Sequence, residues 1–135
     1  MPHHTPEITI VFDKIARRRI ITFKGDVGDS HFFEFFSDQI QQPDYDHGAD
    51  DLVDLIGVTK LGLTSDGLQQ IMSIFSQADE LGHKTRLAIV APSDETYGVS
   101  RMYQMMRGDD APEEIRIFRE LAHATAWLDS GRTLG

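Results

Sequence analysis

Two alternating apolar segments lie almost back to back near the start of the chain: residues 7–12, EITIVF, and residues 18–24, RRIITFK. Ile8, Ile10 and Phe12 fall on one face of the first. The residues between them, 13–17, are too few for a helical crossover, which takes about a dozen or more. Two strands joined so tightly are therefore expected to pair antiparallel. This junction limits the topology more than any other part of the chain.

Strand-like and helix-like patterns then alternate. Asp29 or Ser30 is placed to cap a helix carrying Phe32, Phe33, Phe35, Phe36 and Ile40. Residues 41–51, QQPDYDHGADD, read as a loop. Residues 52–58 are apolar almost throughout, as a strand covered on both faces should be. A helix is predicted over about residues 65–81, where Leu68, Ile71, Met72, Phe75 and Ala78 recur at helical steps. Gly82 is placed to end it in the left-handed conformation. Residues 86–91 form a further strand. Pro92 and Ser93 open a helix that runs through Tyr97, Arg101, Met102 and Met105 to Gly108. A short strand over 115–118 and a helix over 120–131, packing Leu121, Ala124, Trp127 and Leu128, complete the chain. The order ββαβαβαβα predicts an α/β fold: a mixed, mostly parallel sheet of about five strands with helices packed against it. Residues 7–130 are expected to form one domain, with 1–6 and 131–135 as flexible ends.

Composition removes several classes of function. Acidic residues outnumber basic ones 22 to 13, for a formal charge of −9. Such a field repels phosphate backbones, so no nucleic-acid partner is expected. With no cysteine, disulfides, thiolate metal sites and cysteine catalysis are excluded. No apolar run approaches the roughly 18 residues of a membrane span, and the first residues lack the zones of a signal peptide. A cytoplasmic location is expected.

Residues 57–68, GVTKLGLTSDGL, nearly match three motifs. A phosphate-binding loop needs a lysine where Leu63 stands. A hydrolase elbow needs a small residue two before its serine, and Leu63 again occupies that position. The third match is a phosphoacceptor turn at Ser65-Asp66-Gly67-Leu68. Ser65 is also a good N-cap, worth typically about 1 kcal/mol over alanine. A phosphate on Ser65 would gain from the helix N-terminus. Asp66, about 5 Å away, would cost it on the order of 1 kcal/mol per added charge. A helix cap alone is the simpler reading.

The element order, RLAIVAP at 86–92 and IRIFRELAHATAWL at 115–128 together resemble the STAS superfamily of sulfate transporter and anti-sigma factor antagonist domains. The chain is most similar to the SpoIIAA-like branch, small bacterial proteins in which an AIVAP strand is followed by a helix, a short strand ending in phenylalanine and an AxxWL helix. Ala88, Pro92, Phe118, Ala124, Trp127 and Leu128 carry those features here. The resemblance implies a non-enzymatic regulatory domain that contacts another protein through Thr64, Ser65, Asp66 and Gly67, with Ser65 as phosphoacceptor. Thr64 stands where classical members have aspartate, and Asp66 where they have a second serine.

Four phenylalanines in five residues exceed what one helix face buries. The SpoIIAA-like branch is similar in fold to lipid-carrying domains of the CRAL-TRIO type. An apolar ligand contacting Phe32, Phe33, Phe36, Tyr97, Arg101 and Met105 is therefore the alternative function, with transient contact at a membrane surface. At least two of Met102, Met105 and Met106 are read as core filler. Asp44, Asp46, His47, Asp50 and Asp51 are read as a solvated loop, since Gly48 interrupts any calcium-type spacing. Arg17, Arg18 and Arg19 are read as a charged sheet edge. No cofactor and no metal are expected. The partner is another protein, a homodimer mate included, or a small apolar ligand.

Overall fold

The computed structural model describes residues 4–131. Its elements are β1 (Glu7–Asp13), β2 (Arg18–Gly28), α1 (Asp29–Ile40), β3 (Asp50–Gly62), α2 (Ser65–Asp79), β4 (Thr85–Val90), α3 (Asp94–Arg107), β5 (Glu113–Phe118) and α4 (Leu121–Ser130). One sheet runs in the order β1-β2-β3-β4-β5. The first pair is antiparallel, as the short connection requires, and the other three are parallel.

Sequential strand order fixes where the helices lie. Right-handed crossovers that all step the same way across a sheet place their helices on the same face. Helices α1, α2 and α3 accordingly share one face, packing Phe32, Leu68, Ile71 and Tyr103 against Ile21, Phe23, Val53 and Ile89. Helix α4 returns to no strand and covers the other face, where Ala124, Trp127 and Leu128 meet Leu52, Ala88 and Val90. Of the ends expected to be flexible, residues 1–3 and 132–135 lie outside the described residues. His4 is described, and its carbonyl accepts the Asp26 N–H at 2.9 Å.

Four local expectations are corrected. Strand β3 extends to Gly62 instead of stopping at residue 58. The reason is tertiary: β2 runs on to Gly28 and supplies ladder partners, pairing Asp26 with Lys60, Val27 with Leu61 and Gly28 with Gly62. Only Leu63 and Thr64 then separate strand from helix, too few for a phosphate-cradling loop, and Ser65 lies in the first turn of α2 without the strained backbone of a nucleophile elbow. Second, α2 is capped by Thr64, whose Oγ1 accepts the Gly67 N–H at 3.1 Å, and not by Ser65. Third, α1 starts after Gly28 with no side-chain cap from Asp29 or Ser30. Asp29 is drawn to α2 instead, where its carboxylate accepts the Thr64 N–H at 2.7 Å and the Thr64 hydroxyl at 2.5 Å. Last, α2 ends at Asp79, two residues before the predicted end, although Gly82 does adopt a left-handed φ of 74°.

Candidate functional site

Period-two alternation builds the site. On β2, Arg19 is in phase with Ile21 and Phe23; on β3, Asp51 is in phase with Val53 and Leu55. On β5, Glu113 is in phase with Ile115 and Ile117. All three therefore point to the α1–α3 face. They stand at the N-terminal ends of their strands and form a charged margin to an apolar layer.

Arg19 and Asp51 are register partners and meet as a fork, Nε to Oδ1 at 2.6 Å and Nη2 to Oδ2 at 3.1 Å. Arg19 also donates through Nη1 to the Asp46 carbonyl at 2.6 Å and stacks over the Tyr45 ring at 4.1 Å. Both side chains are buried. Burial pushes the Asp51 carboxyl above its ordinary range, and the Arg19 charge and hydrogen bonds oppose that push. Arg107, at the end of α3, forks onto Asp79 at the end of α2, with distances of 2.8 and 3.0 Å. Its Nη2 lies 3.6 Å from Glu113, longer than a hydrogen bond. Burial first, then the Asp51 charge, pushes Glu113 up to about 7, against the pull of Arg107. Burial also raises the phenols of Tyr45 and Tyr103.

A cavity of about 80 Å³ lies between the sheet and α1–α3. Phe32, Phe36, Val53, Leu55, Ile71 and Phe75 supply much of its apolar wall. Arg19, Tyr45, Asp51 and Glu113 close its charged end. Those four residues and Phe75 also line an adjoining polar cavity of about 40 Å³, which Arg107, Asp79, His47 and His83 complete.

The residues singled out from sequence divide between three places. Phe32 and Phe36 line the apolar cavity, with Phe32 stacked on Phe23 at a centroid distance of 4.5 Å. Phe33 is exposed on α1. On α3 the cavity is lined by Val99, Ser100 and Tyr103, whereas Tyr97, Arg101 and Met105 lie outside it. Tyr97 lies under the Arg119 guanidinium at 4.2 Å, Arg101 is exposed beside Gln104, and Met105 is 67% exposed. Met102 is exposed too, so of the three methionines only Met106 packs against the core; the core-filler reading is corrected. Thr64, Ser65 and Asp66 are exposed at the start of α2. Gly67 is buried there, and a Cβ on it would stand 2.0 Å from the Asp29 carboxylate.

Two charge readings are also corrected. Arg18 and Arg19 are buried, since β1 and not β2 forms the sheet edge. Asp50 and Asp51 are buried in β3, and Asp46 is forked by Arg17 at 2.7 Å, which holds its pKa down at about 2. Sequence reasoning misses Arg19, Asp51, Tyr45 and Glu113 as a group. Carrying the alternation of residues 20–24 and 52–58 toward the N-terminus places Arg19 and Asp51 on the buried face, and that signal could have found them. Among the described residues no cluster of three or more histidines or carboxylates is placed to hold a metal.

The fold has a counterpart among solved structures. An uncharacterized protein of the DUF3478 family with a SpoIIAA-like fold, from Shewanella loihica, superposes with a TM-score of 0.53 at 16% identity. The match covers 95% of this chain and 97% of that one. This chain has a SpoIIAA-like fold. At that identity the likeness extends to the fold alone. No family model and no curated protein matches the sequence. No helix among the described residues of this SpoIIAA-like fold is long and apolar enough to cross a membrane.

Proposed function

We propose that the chain is a non-enzymatic binding domain that holds a small apolar ligand between its sheet and helices α1–α3. One observation carries the reading: the cavity walled by Phe32, Phe36, Val53, Leu55 and Ile71 and closed at one end by buried charge. Ligand sites are commonly apolar clefts with a few convergent polar groups. The volume sets the size of the guest. At about 80 Å³ the cavity is roughly half of an engineered 150 Å³ cavity that takes benzene or xenon. A short group of about three or four carbons fits with small adjustments, and a longer chain requires α1 and α2 to part.

Xenon tests this directly. Methyl NMR spectra under xenon pressure should shift at Val53, Leu55 and Ile71 and not at exposed Val11 or Ile56. Val53→Phe, which fills the space, should abolish those shifts while the protein stays folded. Shifts no larger inside than on the surface would end the proposal.

A second reading rests on Thr64, Ser65 and Asp66, which stand exposed and are held in place by Asp29. They form a fixed, acidic contact surface for another protein or a second copy of the chain, and Ser65 is its hydroxyl for modification. Asp29 already satisfies the start of α2 with negative charge, and together with Asp66 it opposes a phosphate on Ser65. Pull-downs with wild type and Ser65→Asp, with mass spectrometry of Ser65, test this surface. Identical partners and an unmodified serine would remove the switch.

A further inference from the structure

The polar cavity beside the apolar one holds two unmet hydrogen-bonding groups. Arg107 is 97% buried as a side chain (3% exposed), and its Nη1 and Nη2 are both committed to Asp79. Its Nε has no hydrogen-bond partner. A buried guanidinium N–H without an acceptor is costly enough that such groups are nearly always met by protein, water or ligand. Glu113 is the complementary case. Three carboxylates, Asp51, Asp79 and Glu113, share this end of the fold with two guanidiniums, Arg19 and Arg107. Arg19 forks onto Asp51 and Arg107 onto Asp79, so Glu113 is the carboxyl left over, with its nearest cation 3.6 Å away. Glu113 lines both cavities, and Arg107 lines the polar one.

Resting on the apolar-ligand reading above, the geometry points to an uncharged hydroxyl as the head group of the ligand: a small aliphatic alcohol whose carbon body fills the apolar cavity. A hydroxyl has one donor and two acceptor sites. Its O–H is donated to a Glu113 carboxyl oxygen, and its oxygen accepts the Arg107 Nε–H once a small shift of the guanidinium uncovers that buried atom, so a single atom meets both groups. The polar cavity, at about 40 Å³, is of the size that one hydroxyl or one water occupies. The charged alternatives fit less well. A carboxylate head would bring a further anion beside Asp51 and Asp79, and Glu113 would add to the repulsion whenever it is ionised. An ammonium head offers only donors and would place a second cation against the Nε–H that lacks an acceptor.

A matched series of four-carbon probes tests this in the full chain: butan-1-ol, butylamine and butyrate at neutral pH, with xenon as the headless control, read by the same methyl resonances. Butan-1-ol is expected to bind at least about tenfold more tightly than the amine or the acid, the worth of one hydrogen bond to a charged group. Glu113→Gln keeps an acceptor and should preserve the preference. Arg107→Lys keeps the charge facing Asp79 but removes Nε, and it should cut butan-1-ol affinity by about tenfold with xenon binding unchanged. Xenon binding with three equal head groups, or with the amine or the acid preferred, overturns the hydroxyl assignment and leaves the apolar site standing. Butan-1-ol binding that survives intact in Arg107→Lys overturns it equally. Absence of xenon binding overturns the apolar site itself.

Discussion

The two faces of the sheet solve the same packing problem with different materials. Under α4 the contact is made by small residues: Ala88, Val90 and Ala124 are fully buried, with Trp127 and Leu128 over them. Under α1–α3 it is made by rings and long aliphatic chains, Phe23, Phe32, Phe36 and Phe75 among them. Small residues let a helix approach the sheet closely, and the space that is left lies on the ring side. Charge follows the same division. Adjacent arginines point to opposite faces: Arg18 reaches the exposed Asp129 of α4 at 2.9 Å, and Arg19 is sealed against Asp51. One face is a tight seal, and the other is a chamber with a charged end.

The sharpest way to break this contrast is to truncate each arginine. Arg19→Ala leaves Asp51 buried without its cation, and a loss of about 3–5 kcal/mol is expected by urea unfolding. Arg18→Ala should cost less than half of that, because Asp129 can be hydrated. Equal losses would show that the faces do not differ electrostatically. Arg19→Met combined with Asp51→Leu should recover most of the stability.

Glu113 gives the next largest effect. Its folded pKa of about 7 lies above the ordinary 4.5. The folded state therefore holds this proton more tightly than the unfolded chain does. The resulting stability is fully present below pH 4.5 and is lost as pH rises through 7. The difference amounts to on the order of 3 kcal/mol. Melting temperatures measured across this window should fall with rising pH in wild type and stay nearly flat in Glu113→Gln. A wild-type profile with no such slope would place Glu113 in contact with water.

Overpacking comes third. Ala124→Leu on the close-packed face should cost about 1–3 kcal/mol. Val53→Leu adds volume beside the cavity and should be nearly neutral or stabilising. The reverse result would mean that the space belongs to the other face. The smallest effect is at the start of α2. Thr64→Ala should cost about 1 kcal/mol as the cap is lost, and Ser65→Ala almost nothing.

Much of the architecture is legible in local pattern. The short connection at 13–17 dictates the antiparallel pair, and the capping serine at Ser93 marks the start of α3, where it accepts the Thr96 N–H at 3.0 Å. What local pattern misses comes from long-range pairing. Gly62 has the local character of a turn, yet the extension of β2 holds it in a strand, opposite Gly28. Asp50 and Asp51 have the composition of a loop, and only Arg19, 32 residues before Asp51, makes burial of Asp51 tolerable. Of the residues named for an apolar ligand, Phe32 and Phe36 reach the cavity because α1 presents that stripe inward. Tyr97, Arg101 and Met105 do not, since α3 turns Val99, Ser100 and Tyr103 toward it. A helical stripe can be read from sequence, but the stripe that faces a space depends on its neighbours.

The strand order has a consequence for where any guest can sit. In doubly wound sheets the direction of winding reverses partway, and the two diverging connections leave a crevice at the carboxyl ends of the strands. Here the parallel strands advance without reversal from β2 to β5. No switch-point crevice opens at the carboxyl ends, and the apolar space of this fold lies between the layers instead.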